Sequence, residues 1–379
     1  MINNHDREEI EIEALRLIDQ AEELVNKGKG KKAIDLYEKA AQKFLDLGSY
    51  IKLDELFIKI SSIISKFKNN IQAVYRLKSI IRKTEELNLE EISAKLLIQL
   101  GNIAYRMKDY ETAGRSWKKA SDYFYSIDPE EFHNISSELL LRAGQALERT
   151  STSKDDGERL ILKAVMTVNK FDEVYQLEEK RALKLLNLEN YEAAAKKYIE
   201  VSNYFQKAVQ YVDELLDDTE FINVMKNVKS RLLHLSAEYK AVAAISLRAS
   251  RNRDFNPQIK NLAHDSIDYL VNSINLLKDV LISRESEKDK EDILRITFDT
   301  LLISILQEML GEKEIQPIEF LLKKFDKTDS NLIKRLKQTP FFKLTERIEK
   351  LGIEESLDKI KETNLGHLNK VKEALISSF

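Results

Sequence analysis

The sequence predicts an all-α fold: an α-α superhelix of antiparallel helical hairpins followed by a C-terminal helical bundle. Three observations carry the prediction. A small–aromatic–small triplet, Ala113, Trp117 and Ala120, recurs as Ala33, Tyr37 and Ala40, and three further times in looser form, at intervals near 40 residues. Apolar residues elsewhere recur at the 3.6-residue spacing of amphipathic helices. The 379 residues include only 10 Gly and 4 Pro beside 43% hydrophobic and 33% charged residues, a composition that suits long helices and leaves little material for β-turns.

Taken in order, residues 1–10 are polar and expected to be flexible. Ala14, Leu17, Ile18, Ala21, Leu24 and Val25 then mark a first helix that stops at Asn26-Lys27-Gly28, with its partner beginning near Lys31. A second hairpin is read at 51–67 and 71–87, with Ala73, Leu77 and Ile80 as its packing triplet. The clearest hairpin is 96–124, where Gly101 is the small contact residue of the first helix and Ala113, Trp117 and Ala120 face it from the second. Gly157, Ile161 and Ala164 mark a fourth. Ala194, Tyr198 and Val201 mark a fifth, whose Asn190-Tyr191-Glu192-Ala193-Ala194 echoes Asp109-Tyr110-Glu111-Thr112-Ala113. The triplets start at 33, 73, 113, 157 and 194, and a hairpin cannot bury its apolar face alone, so each predicts a neighbour.

Beyond 217 the triplet is lost but helices continue: one to about 251, one from Asn256-Pro257 to about 283, one over 293–310 ended by Gly311, and shorter ones opened by Pro317 and Pro340, with 354–377 closing the chain. Every proline falls at a proposed helix start, where its missing N–H costs nothing. The domain reading is therefore 1–10 flexible, 11–217 five hairpins and 218–379 a helical bundle.

The absence of cysteine removes disulfides and thiolate chemistry. The net charge of −3 gives no general pull towards nucleic acid. The N-terminus is charged where a signal peptide needs an apolar core, and 296–310 is too short to cross a bilayer and carries Asp299 and Glu308. A cytoplasmic protein is expected, with any membrane contact peripheral.

Histidines 5, 133, 234, 264 and 367 are scattered, with no two at ligand spacing, so no metal, cofactor, catalytic group or small-molecule substrate is assigned. Gly28-Lys29-Gly30-Lys31-Lys32 lacks the spacing and Ser/Thr of a phosphate loop. Two basic groups remain as candidate contacts for an acidic protein or lipid headgroups: Lys27, Lys29, Lys31 and Lys32 at the first turn, and Lys323, Lys324, Lys327, Lys334, Arg335 and Lys337 near the C-terminus.

The Leu-Gly…Tyr…Ala-x3-aromatic-x2-Ala pattern resembles the tetratricopeptide repeat, whose common period is 34 residues. With a period near 40, KKAIDLYEKAAQKF (31–44) and LGNIAYRMKDYETAGRSWKKASDYF (100–124) look like hairpins of the soluble NSF attachment proteins (SNAPs). That resemblance covers about 11–216. It implies a twisted sheet of helices ending in a globular bundle, a non-enzymatic adaptor lying along a coiled-coil SNARE complex, and recruitment of a hexameric AAA ATPase in membrane trafficking. The first turn here is polar, where that family carries an apolar membrane-touching loop. A generic tetratricopeptide scaffold gripping a peptide in its groove is the alternative.

Overall fold

The computed structural model describes residues 4–67, 69–150, 152–167, 171–215, 222–283, 290–325, 330–377 and 379. Among these the fold is all-α, with no strand, and helices pack chiefly on their neighbours in sequence. The chain divides into two compact units, Met1–Asn169 and Lys170–Phe379. The expected boundary at 217/218 lies outside the described residues, and the fifth hairpin belongs to the second unit.

The first unit holds α1 (Asn4–Asn26), α2 (Gly30–Asp46), α3 (Tyr50–Ser65), α4 (Asn70–Glu86), α5 (Glu90–Arg106), α6 (Tyr110–Ile127), α7 (Pro129–Glu148) and α8 (Lys154–Thr167). Helix α1 starts at Asn4 rather than after a flexible decapeptide. Asp6 in its first turn suits the positive end of a helix, so polarity alone does not disorder this segment.

One turn joins many of the helices. Gly28 N–H bonds Val25 O and Lys29 N–H bonds Leu24 O, the paired 5→2 and 6→1 bonds of a Schellman motif. The same pair recurs after α2, α4 and α5, with Gly48 (φ 70°), Asn88 (φ 55°) and Lys108 (φ 62°) in the left-handed position. Asp109 then caps α6 by accepting from Thr112 N–H at 3.1 Å, and Asp128 caps α7 ahead of Pro129 by accepting from Glu130 and Glu131 N–H.

Helix pairing rests on small residues. Gly101 of α5 lies so close to Trp117 of α6 that a Cβ there would sit 2.4 Å from the indole Nε1. Trp117 is 5% exposed and packs on Tyr105 at 5.6 Å between ring centroids. Its Nε1–H has no hydrogen-bond partner among the described residues, a cost that the packing outweighs. Gly144 and Gly157 let the backbones of α7 and α8 touch, since a Cβ on either would fall within 3 Å of the other's carbonyl oxygen. Buried serines bridge further seams: Ser121 Oγ donates to Ser136 O, and Ser137 Oγ to Ala164 O.

Consecutive hairpins are also pinned by ion pairs at the repeat spacing. Arg76–Asp35 (2.7 Å) and Lys95–Asp54 (2.8 Å) each span 41 residues, and Lys59–Glu22 (2.6 Å) spans 37. In each the earlier hairpin supplies the acid and the later one the base. Such exposed pairs add little energy but favour one register.

The second unit holds α9 (Phe171–Asn187), α10 (Tyr191–Leu215), α11 (Ile222–Ala249), α12 (Asn256–Ser283), α13 (Lys290–Leu310), α14 (Pro317–Phe325), α15 (Ser330–Gln338), α16 (Pro340–Leu351), α17 (Leu357–Glu362) and α18 (Lys372–Ile376). Ala182, Ala194, Tyr198 and Val201 are fully buried, as the fifth triplet requires. Helix α13 is enclosed on all sides, with Asp292, Arg295 and Asp299 buried along with its apolar residues, and α12, α14, α15 and α16 packed on it. Helix α15 is an element that the sequence reading omitted. Segment 354–377 is broken into short helical turns rather than one continuous helix: Thr363 becomes extended after α17, and the chain resumes helical turns at Gly366 (φ 59°), packed on α11. No helix among the described residues is long and apolar enough to cross a membrane.

Trp117→Ala is expected to cost about 3–5 kcal/mol in a urea titration, and Gly101→Ala about 1–3 kcal/mol by overpacking. The double variant should lose less than their sum, because the clash disappears with the ring; additive losses would disprove the proposed contact. Lys108→Gly should gain about 0.5 kcal/mol by relieving the left-handed backbone, the advantage of glycine there exceeding its extra unfolded-state entropy.

Candidate functional site

In the first unit, α3 and α4 meet more sparsely than other successive helices, and clefts open beside them. One of ≈ 660 Å³ is lined by Val25, Gly28–Lys32, Ile63, Lys66 and Phe67. A second, of ≈ 540 Å³, shares Lys31 and Phe67 and continues along α2 and α4 past Asp35, Ile71, Tyr75 and Arg76. Together they form a groove with an apolar floor. Ile71 and Tyr75 stand 71% and 78% exposed at its rim, unusual for side chains of that size.

The groove gathers Lys29, Lys31 and Lys32 from the predicted basic turn and adds Lys66, which sequence reasoning missed because it lies on the far side of a hairpin. Among the described residues none of these four forms an ion pair, whereas Lys27 is bound to Glu23, and Arg76 to Asp35 and Glu38. The groove therefore presents uncompensated positive charge beside exposed apolar surface. It suits an acidic ligand that also carries apolar side chains.

The C-terminal basic group is less free. Lys323 pairs with Glu319 at 2.5 Å, and Lys324 Nζ stands 4.9 Å from the centre of the Phe320 ring. Lys327 lies outside the described residues. Lys334 and Lys337 are exposed on α15, and Arg335 is half-buried.

In the second unit the structure brings together residues that the sequence left scattered. A cleft of ≈ 420 Å³ is lined by His234, Leu235 and Glu238 of α11, Leu294, Arg295 and Phe298 of α13, Phe341 of α16, and Asn364, Gly366 and His367. His234 Nδ1 lies 2.5 Å from Asp299 Oδ1, and Asp299 Oδ2 accepts from Ser273 Oγ at 2.7 Å. This arrangement fixes the ring and turns Nε2 towards Glu238 Oε2, 3.8 Å away. Burial opposes the imidazolium, but Asp299 and then Glu238 outweigh it, so the His234 pKa stands above its ordinary 6.5.

Glu238 Oε1 accepts from His367 N–H at 2.6 Å, and a Cβ on Gly366 would fall 2.5 Å from the same oxygen. Glycine is needed at 366 both for its backbone angle and for this approach. Nearby, Glu179 accepts from Tyr239 Oη–H at 2.5 Å and binds His367 and Lys370. The hydrogen bond from His367, with those from Lys370 and Tyr239, outweighs desolvation and lowers the Glu179 pKa from 4.5 to about 2. Burial pushes the Tyr239 phenol far up.

The sequence signals for this cleft were the i, i+4 pairs His234/Glu238 on α11 and Arg295/Asp299 on α13, which a search for paired histidines passes over. Of the other histidines, His133 is half-buried, His264 pairs with Glu312 at 3.1 Å, and the His5 side chain lies outside the described residues. Among the described residues no group of three or more His, Cys, Asp or Glu is placed to hold a metal ion.

No protein-family model matches the chain, and no curated protein matches it. Among solved structures it is similar to one described as a "Circular tandem repeat protein with novel repeat topology and enhanced subunit contact surfaces", at 12% identity and a TM-score of 0.25 over 98% of this chain and 96% of that one. The all-α repeat fold stands on the helices of the chain itself and on their packing.

Because Glu179 has a depressed pKa, the stability it contributes is present above pH 4.5 and is lost as pH falls towards about 2. Hydrogen exchange of 366–376 is expected to accelerate over that range, and Glu179→Gln should flatten the dependence. An unchanged acid profile in that variant would remove Glu179 as the anchor.

Proposed function

We propose that this chain is a non-enzymatic adaptor that holds an acidic helical or coiled-coil protein segment, with the lysine-rimmed groove of the first two hairpins as the docking surface. One observation carries the reading: among the described residues Lys29, Lys31, Lys32 and Lys66 form no ion pair around an apolar concavity, beside helices whose other basic residues are largely paired. Helical partners supply what such a groove selects, since a row of carboxylates on one face can alternate with apolar anchors at i, i+3 and i+4. Affinity would come from side chains seated against Phe67, Ile71 and Tyr75, and association rate from the lysines.

The finer version rests on the resemblance to the attachment proteins. The partner is then a SNARE-like coiled coil, and the bound adaptor recruits an AAA ATPase in membrane trafficking on the cytoplasmic side. A generic tetratricopeptide scaffold for an extended acidic peptide shares the same groove and differs in partner conformation.

Titration with a synthetic amphipathic helix of Glu and Leu should show binding that weakens with salt. Lys29→Glu, Lys31→Glu, Lys32→Glu and Lys66→Glu combined should weaken it by about tenfold or more, while Lys334→Glu with Lys337→Glu leaves it unchanged. Equal affinity in the groove variant would sink the docking surface. Binding of the intact protein to anionic vesicles but not to the peptide would replace the protein partner with a lipid surface. For the finer version, affinity capture from lysate must enrich a coiled-coil membrane protein together with an AAA ATPase.

A further inference from the structure

The cleft between α11, α13 and α16 is separate from the docking groove and has a different charge. Its charged groups are His234 and Glu238 on α11, Asp292, Arg295 and Asp299 on α13, and His367 with the neighbouring Glu179–Lys370 pair. Arg295 is held by Asp292 at 3.0 Å and by Asn227, and Lys370 is held by Glu179. That leaves one imidazole between two carboxylates, Asp299 and Glu238, which are fully buried and 2% exposed. Glu238 is the unusual member. Its Oε1 is satisfied by the His367 N–H, but among the described residues none donates to its Oε2 on the cleft side, and His234 Nε2 stands 3.8 Å from it, beyond hydrogen-bond range. This carboxylate oxygen reaches solvent only through the cleft, and an ammonium entering there would take the place of the water that solvates it.

The walls narrow the choice of donor. Phe298 and Phe341 meet edge to face at 5.1 Å, and Leu235 and Leu294 complete an apolar lining. An excess carboxylate beside aromatic rings and an apolar wall are the surroundings that select a protonated amine on an alkyl stem. A bound anion would face Glu238, and a neutral hydrocarbon would displace water from its carboxylate without supplying a donor.

We propose that this cleft binds a primary alkylammonium group, which donates to Glu238 Oε2 and His234 Nε2 against the Phe298–Phe341 wall. The group comes either from a free amine or from the lysine side chain of a partner. His234 must present a bare Nε2 to accept, while its Nδ1–H stays on Asp299. Binding therefore expels a proton from the imidazolium to solvent. Affinity rises with pH until His234 is neutral in the free protein, and falls again only where the amine itself deprotonates.

The test is calorimetric titration of the full chain with N-acetyl-lysine methylamide, n-butylammonium and the uncharged N-acetyl-norleucine methylamide, in buffers of differing ionisation enthalpy. The expected result is binding of the charged probes only, with a buffer-dependent enthalpy that reports proton release. Glu238→Gln retains the acceptor for His367 N–H and should weaken binding by about tenfold or more. Phe341→Leu, a milder change, should weaken it several-fold, with circular dichroism confirming the fold of both variants. Tighter binding of the lysine derivative assigns the source to a partner protein, and equal binding of n-butylammonium assigns it to a free amine. Binding of the norleucine compound as tight as that of lysine, full affinity in folded Glu238→Gln, absence of proton release, or no binding of either charged probe overturns the proposal.

Discussion

Close approach of neighbouring helices is the constraint on which the rest of this molecule depends. A single amphipathic helix of this kind cannot hold its fold, and a hairpin exposes the face that its neighbour must cover. Approach close enough to exclude water requires residues with almost no side chain at the crossing points. Gly101 beneath Trp117, Gly114 beneath Leu147, and Gly144 against Gly157 meet that need in the first unit. In the second unit Ala237, Ala241, Ala243 and Ala244 line the buried faces of α11. Serines do the same where a seam is closed by a hydrogen bond, as between Ser202 and Ser236 or Ser230 and Ser273.

Where approach is loose, surface opens for binding. The gap beside α3 and α4 turns two hairpins into a groove, and among the described residues Lys29, Lys31, Lys32 and Lys66 at its rim form no ion pair, unlike Arg76 in the same groove. The interior of the second unit follows a different logic. Its polar ladder, Asn227, Ser230, His234 and Glu238 on α11 facing Asp292, Arg295 and Asp299 on α13, places charge where apolar side chains would pack more cheaply. Most of that ladder is internally satisfied. Glu238 Oε2 lies where the ladder reaches the cleft.

The two sites therefore attract opposite charges by different means. The groove is open, flexible in its lysine side chains and sensitive to salt, which suits fast and reversible protein contacts. The cleft is shallow and open to solvent between three helices and the turn at Gly366, with its imidazole fixed by Asp299. A ligand there meets groups whose geometry is already set, so selectivity comes from the Glu238 carboxylate and the aromatic wall beside it.

What the amino-acid sequence determined by itself is local and periodic. Apolar spacing located most of the helices, Pro129, Pro257, Pro317 and Pro340 marked starts, and the near-40 interval identified the hairpins and the burial of Trp117, Ala113 and Tyr198. These signals need only a few consecutive turns of helix, so they are legible without the fold. The tertiary structure decided what depends on distant contacts. It set Lys108 in a left-handed turn, added Lys66 to the basic turn, broke 354–377 at Gly366, and joined His234 to Asp299 across 65 positions. The electrostatics of a site follow from distances between side chains on different helices, and those distances exist only once the helices have packed.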